Sequence, residues 1–207
     1  MADLTVDVVV IGGGATGAGI ARDVAMRGLS VALVDRADLA QGTTARYHGL
    51  LHSGGRYVVS DPESARECAE ENRIVTRIHA NAVEQTGGLF VVTPDDSEEY
   101  ADGFLAAAAR AHVPAEEITV AQALARVNPG TKRAFAVLDG TVDGWAMVWG
   151  AAESAREYGA HLLPYHEVVA VHRADDRVVG VTVRDVKAGG SKRIDCRFVM
   201  NAGGPWA

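Results

Sequence analysis

The sequence predicts an α/β fold, a Rossmann-like domain with part of a β-containing region beside it, and three observations carry that prediction. An apolar strand, Val8-Val9-Val10-Ile11, runs straight into the glycine turn Gly12-Gly13-Gly14-Ala15-Thr16-Gly17. A second apolar strand, Val31-Ala32-Leu33-Val34, ends on Asp35, 23 residues after Gly12 (35 − 12). Near the other end, Arg197-Phe198-Val199-Met200 runs into a further glycine turn, Asn201-Ala202-Gly203-Gly204-Pro205-Trp206. Uninterrupted apolar runs of this length read as parallel strands covered on both faces.

The first turn has a specific physical logic. Gly12 permits the tight bend, Gly14 lets the backbone approach a pyrophosphate, and Gly17 allows helix and strand to pack closely. The amides of Ala15 and Thr16 then open a helix whose positive dipole end suits a diphosphate. Asp35 stands where a carboxylate accepts hydrogen bonds from a ribose diol. Arg36, next to it, is the kind of residue that takes a 2′-phosphate, but the Asp35 charge would repel that phosphate, so FAD or NAD is favoured over NADP. Strand, glycines, helix and acid together separate this segment from a glycine-rich turn without a ligand. They define a Rossmann-like dinucleotide-binding domain.

The elements follow in order. A strand is expected over 6–11 and a helix from Ala15 to about Gly28, with Ile20, Val24 and Ala25 inward, Arg22, Asp23 and Arg27 outward, and Gly28 as its cap. Residues 30–35 form the second strand. The polar stretch from Ala37 to about Pro62 is long for a connection in a compact domain, and such loops are commonly functional. Asp61 caps a helix over 63–81, with Pro62 at its first position. Strands are expected at Gly88–Thr93 and Ala134–Leu138, and helices over 97–112, Thr119–Asn128 and Trp145–Tyr158, the last capped by Gly159. From His161 the pattern turns to β, with strands at 167–172, 178–185 and 194–200 joined at Asp175-Asp176 and Gly189-Gly190.

Composition bounds the function. A net charge of −7 argues against nucleic acid as a partner. Cys68 and Cys196 are far apart and in no CxxC pattern, so they read as ordinary thiols in a reducing compartment. His161, His166 and His172 show no ligand spacing, and no metal is expected. The short apolar start lacks a basic stretch before it and does not read as a secretory signal. No apolar run reaches the ~18 residues of a spanning helix, so membrane contact is expected to be peripheral. Trp145 and Trp149, one helical turn apart, read as core packing. The sequence stops as a strand–turn–helix unit begins, and it is therefore expected to be the N-terminal part of a longer polypeptide.

One loop remains. Gly49-Leu50-Leu51-His52-Ser53-Gly54-Gly55-Arg56-Tyr57 offers a planar guanidinium fork matched to phosphate or carboxylate oxygens, and the glycine pair lets the backbone approach a flat ring or ligand. Tyr57 adds a hydroxyl and an apolar face. The alternative is a surface loop with a solvated Arg and a packed Tyr.

Taken with Val9–Ala21, Asn201–Trp206, Glu63–Cys68, Gly88–Phe90 and Asp139–Asp143, this loop resembles the FAD-dependent glycerol-3-phosphate dehydrogenases, most of all the catalytic A subunits of the anaerobic enzymes. The resemblance covers nearly the whole chain. It implies a flavoprotein of the glutathione-reductase type in the D-amino-acid-oxidase-like superfamily, with FAD as cofactor, membrane-associated on the cytoplasmic face, and oligomeric. Residues 1–60 would be the dinucleotide-binding βαβ and flavin loop, 61–160 a helical substrate region, and 161–207 a β-rich segment returning to the FAD-binding core.

The same resemblance implies that Arg56 and Tyr57 contact glycerol 3-phosphate; His52 either donates to the substrate or flavin or is a satisfied structural histidine. It implies that Thr43 and Thr44 contact the cofactor, that Val168 meets its adenine end by its backbone, and that Ala202, Gly203 and Gly204 close over the ribityl diphosphate. Electrons would pass to a quinone or to partner subunits carrying iron–sulfur centres. No His–carboxylate pair is evident in the sequence, so the base that takes the hydroxyl proton is expected outside it. Two alternatives stay open: a 2-hydroxyacid dehydrogenase or amine or amino-acid oxidase of the same superfamily, or a non-catalytic nucleotide-binding module.

Overall fold

The computed structural model describes residues 3–123 and 130–207. The chain opens with β1 (Leu4–Thr5), β2 (Val8–Ile11), helix α1 (Ala15–Met26) and β3 (Val31–Val34). There follow β4 (Leu50–Leu51), α2 (Pro62–Ile78), β5 (Val83–Glu84), β6 (Gly88–Val92), α3 (Glu98–Arg110), β7 (Ala115–Ile118), the single turn α4 (Val120–Ala123), β8 (Arg133–Val137) and β9 (Gly140–Val142). It ends with α5 (Gly144–Glu157), β10 (His161–Leu163), β11 (His166–Ala174), β12 (Arg177–Asp185), β13 (Ser191–Asp195) and β14 (Phe198–Asn201). These form two units, Met1–His48 with Gly144–Ala207, and Gly49–Asp143.

The first unit has three layers. Its middle is a parallel sheet in the order β10-β3-β2-β14. Strand alternation assigns its two faces. Val8, Val10, Val31 and Leu33 meet the small side chains Ala18, Ala21 and Ala25 of α1 and Ala151, Ala152 and Ala155 of α5. On the opposite face Val9, Ala32 and Val34 meet Val181, Val183 and Ile194 of the sheet β1-β13-β12-β11. Fully burying a side chain such as Leu33 contributes roughly 1.5–3 kcal/mol. Gly28 follows α1 at φ +79° and Gly159 follows α5 at φ +94°, the left-handed conformation that ends a helix.

The second unit holds two antiparallel three-stranded sheets, β4-β9-β5 and β6-β8-β7. Its core is aromatic: Phe104 lies between Phe90 and Phe135, with ring centroids 5.2 and 5.0 Å away. Asp61 caps α2, its carboxylate accepting from the Ser64 hydroxyl at 2.6 Å and the Ser64 amide at 3.1 Å, and these bonds hold its carboxyl below the usual range.

Several sequence expectations shift. The strand expected over 194–200 is two strands in different sheets, β13 and β14. The chain crosses over at Cys196-Arg197, where the Arg197 and Phe198 amides both donate to the Asp7 carbonyl at 3.0 Å. The strand expected over 6–11 starts only at Val8, and a separate strand that the sequence did not reveal, Leu4–Thr5, precedes it and pairs β13. Helix α2 ends at Ile78, and the polar loop contains β4 and two 3₁₀ turns, Thr43–Ala45 and Gly55–Tyr57. Of the helix expected over Thr119–Asn128, residues 124–128 lie outside the described residues. Trp149 packs on the first core, but Trp145 is exposed.

Candidate functional site

The cofactor candidates converge on one cleft of about 620 Å³ in the first unit. Gly12, Gly14, Ala15, Thr16, Asp35, Arg36, Thr43, Thr44, Val168, Ala202, Gly203 and Gly204 all line it. Gly17 does not, because it stands behind the turn. A Cβ at Gly17 would lie 1.8 Å from the Gly12 carbonyl oxygen, so its role is the close packing of α1 on the turn. Gly12 has φ +103°, and a Cβ there would lie 2.4 Å from the Ala202 carbonyl oxygen, which brings the two glycine turns together.

Gly14 caps α1 with no side chain to satisfy the helix amides. The first free amide, Ala15 N–H, donates instead to Thr44 Oγ1 at 3.1 Å. An oxygen acceptor thus already sits where the helix dipole favours negative charge. Asp35 is more deeply engaged than the sequence suggested. Its Oδ2 accepts from the Gly13 amide at 2.6 Å and its Oδ1 from the Ala37 amide at 2.8 Å, so the acid also ties the glycine turn to the end of β3. Each carboxylate oxygen retains a second lone pair for a ribose hydroxyl.

Other lining residues were not singled out from the sequence: Gln41, Arg46, His166, Glu167 and Trp206. Arg46 donates to the Gln41 and Gly42 carbonyls and so shapes the loop, while the Trp206 ring would lie 3.1 Å from a Cβ at Gly42. His166 Nδ1 bonds the Pro164 carbonyl at 2.9 Å, and its Nε2 lies 4.0 Å from Asp185. The order Thr-Thr-Ala-Arg carried a signal for Arg46; the others become visible only once β11 and the last turn share a rim.

The second cluster lies in the other unit, on the turn Leu51–Tyr57. Gly54 is left-handed at φ +97°, and a Cβ on it would lie 2.2 Å from the Ala65 carbonyl oxygen; a Cβ at Gly55 would lie 2.9 Å from the Phe90 ring. The glycine pair is therefore required by packing on α2 and Phe90, where the sequence suggested approach to a ligand. Arg56 is exposed, and among the described residues no acid pairs with it. Tyr57 is half-buried against the aromatic core. His52 Nδ1 stands 3.9 Å from Asp139 Oδ2. A His–carboxylate pair is thus present, contrary to the sequence expectation, because its members are 87 residues apart (139 − 52) and meet only through the β9 connection.

Among the described residues no group of three or more His, Cys, Asp or Glu is placed to hold a metal, and no helix is long and apolar enough to cross a membrane. Both thiols are free, and burial pushes each of them up from the ordinary value.

A glycine-turn cleft of this kind on a three-layered ββα unit defines a dinucleotide-binding protein, and the chain belongs to the FAD dependent oxidoreductase (DAO) family, matched over residues 7–207. Its cofactor is FAD. Among named relatives it is 47% identical over 203 residues to the A subunit of the anaerobic glycerol-3-phosphate dehydrogenase of Escherichia coli K12, covering 97% of this chain and 38% of that one. It is 46% identical to the A1 subunit of the corresponding Haloferax volcanii enzyme, covering 97% and 36%. The chain thus spans little more than a third of these relatives' length.

Among solved structures it is similar to L-proline dehydrogenase from P. horikoshii, with a TM-score of 0.81 and 26% identity over 98% of this chain and 54% of that one. It is also similar to the glycerol-3-phosphate dehydrogenase from Bacillus halodurans complexed with FAD, with a TM-score of 0.72 and 25% identity over 100% and 36%. The cleft fits FAD: Gly14 brings no side chain to the helix start, and among the described residues outside its own helix and chain neighbours the heavy atom within 4 Å of a Cβ there is the Thr44 hydroxyl oxygen, at 3.2 Å.

Proposed function

We propose that the full-length protein is a flavoprotein dehydrogenase that oxidises sn-glycerol 3-phosphate to dihydroxyacetone phosphate. Its electrons pass to a quinone, directly or through partner subunits carrying iron–sulfur centres, at the inner face of the cell membrane. The observation that carries this reading is the exposed Arg56, paired with no acid among the described residues, on a turn packed against Ala65 and Phe90, in a chain nearly half identical to the A subunit of an anaerobic glycerol-3-phosphate dehydrogenase. A guanidinium fork on such a turn suits a phosphate dianion better than an amino or carboxyl group alone.

The residues divide the work. The amides of Gly14 and Thr16, with the Thr43 and Thr44 hydroxyls, hold the cofactor diphosphate, while the Ala15 amide orients the Thr44 hydroxyl to which it donates. Asp35 takes the ribose, Val168 the adenine end, and Ala202 to Gly204 the ribityl side. Bound FAD supplies the two-electron acceptor for the hydride that leaves C2 of the substrate. Arg56 grips the substrate phosphate and Tyr57 adds a hydroxyl contact. His52 takes the proton of the C2 hydroxyl.

The test is turnover of the FAD-loaded full-length protein with a quinone analogue as acceptor. Glycerol 3-phosphate is offered beside 2-hydroxyglutarate, glycine and L-proline. Activity confined to glycerol 3-phosphate supports the proposal. Activity with an amino acid or 2-hydroxyglutarate alone assigns the chain to another branch of the superfamily and removes it.

A further inference from the structure

Buried polar side chains are few, and among the described residues they are Ser53, Asn72, Thr131 and Asp139. Three of these surround the His52 turn. Asn72, reaching from α2, donates from Nδ2 to the Leu51 and His52 carbonyls at 3.2 Å each. From the β8–β9 connection, Asp139 accepts at Oδ1 from both the amide and the hydroxyl of Ser53, each at 2.7 Å. Gly88 makes room for it, since a Cβ there would lie 2.8 Å from the Asp139 Cβ. With Oδ1 committed to Ser53, Oδ2 is the oxygen that faces His52 Nδ1, at 3.9 Å.

Burying a carboxylate is costly unless it is well bonded, and hydrophobic packing alone would not demand one here. We propose that Asp139 is a positioning residue for the reaction, holding the His52 turn through Ser53 and fixing the imidazole with its proton on Nδ1. A carboxylate beside Nδ1 favours that tautomer and leaves Nε2 as the basic nitrogen. In the proposed oxidation the hydroxyl proton then passes to Nε2, and Asp139 stabilises the imidazolium that forms without itself taking the proton. This rests on the reading of His52 as proton acceptor in the section above.

Asp139→Asn separates the two roles. Its amide oxygen still accepts from Ser53, while its NH₂ now faces Nδ1 and favours the opposite tautomer. In FAD-loaded full-length protein, Asp139→Asn is expected to keep its flavin and lower kcat at least ~10-fold, with KM for glycerol 3-phosphate within ~2-fold. Added to His52→Asn, it should lower kcat by no more than ~2-fold further, because residues acting as one unit are not additive. Wild-type kcat in Asp139→Asn, or losses that multiply in the double variant, would overturn the proposal. A fast His52→Asn enzyme would instead remove the reading of His52 as proton acceptor. Nitrogen NMR of histidine-labelled protein checks the tautomer without any substrate: Nδ1–H is expected at His52 in the wild type and Nε2–H in Asp139→Asn. The same tautomer in both would overturn the proposal whatever the substrate proves to be.

Discussion

Replacing Asp35 by Ala tests the cofactor cleft most informatively, because that side chain does two things. It accepts from the buried Gly13 amide at 2.6 Å and from the half-buried Ala37 amide at 2.8 Å. A hydrogen bond to a charged group contributes ~1.5–3 kcal/mol. Water can replace the acceptor at Ala37 but hardly at Gly13, so about 2–3 kcal/mol of local stability should be lost, concentrated in the glycine turn. Loss of the ribose contact should weaken FAD by a similar amount, which at 1.4 kcal/mol per decade is about 10- to 100-fold in Kd. Asp35→Asn keeps one acceptor oxygen and should fall between. Hydrogen exchange over Val8–Gly17 in the apo full-length protein reads the first effect, and FAD titration the second. Unchanged exchange would refute the tie between turn and strand; unchanged Kd would refute the ribose contact.

Gly14→Val should abolish FAD binding while leaving the apo fold intact. Its φ of −84° suits any residue, and among the described residues outside its own helix and chain neighbours the Thr44 hydroxyl alone stands within 4 Å of the new Cβ, so the branched methyls are expected in the cleft that Gly14 lines; near-stoichiometric flavin in the purified variant would contradict this. Arg56→Lys should raise KM for glycerol 3-phosphate more than it lowers kcat, since a point charge replaces a fork, and Arg56→Ala should raise it about 10- to 100-fold, the worth of a charged hydrogen bond. Neither should strip the flavin, and equal losses on plain glycerol would show that Arg56 supports the turn instead of the phosphate.

How far the sequence revealed this protein depends on how local each signal was. Val8–Ile11, the three spaced glycines and Asp35 are contiguous pieces of one unit, and their pattern placed strand, helix and cleft correctly. The division of 194–200 between two sheets was invisible, because Cys196-Arg197 carries neither Gly nor Pro and the turn is stabilised by the distant Asp7 carbonyl. Strand β7 has the sequence Ala-Glu-Glu-Ile and β4 only two residues, too polar or too short for a periodicity to show. The site was legible where it is built from motifs and opaque where it is built from long-range contacts. His166 and Trp206 reach the cleft only through the fold, and Asp139 meets His52 only because β4 and β9 pair. Gly54 and Gly55 carried a true signal of tight approach, but the groups approached are Ala65 and Phe90.

The most direct measurement is anaerobic reduction of the FAD-loaded full-length protein by glycerol 3-phosphate, followed by loss of the visible flavin absorbance. The account predicts saturable bleaching, one dihydroxyacetone phosphate formed per flavin reduced, and a half-saturating concentration that rises in Arg56→Ala. A flavin that stays oxidised with glycerol 3-phosphate, yet bleaches with L-proline or glycine, would contradict it.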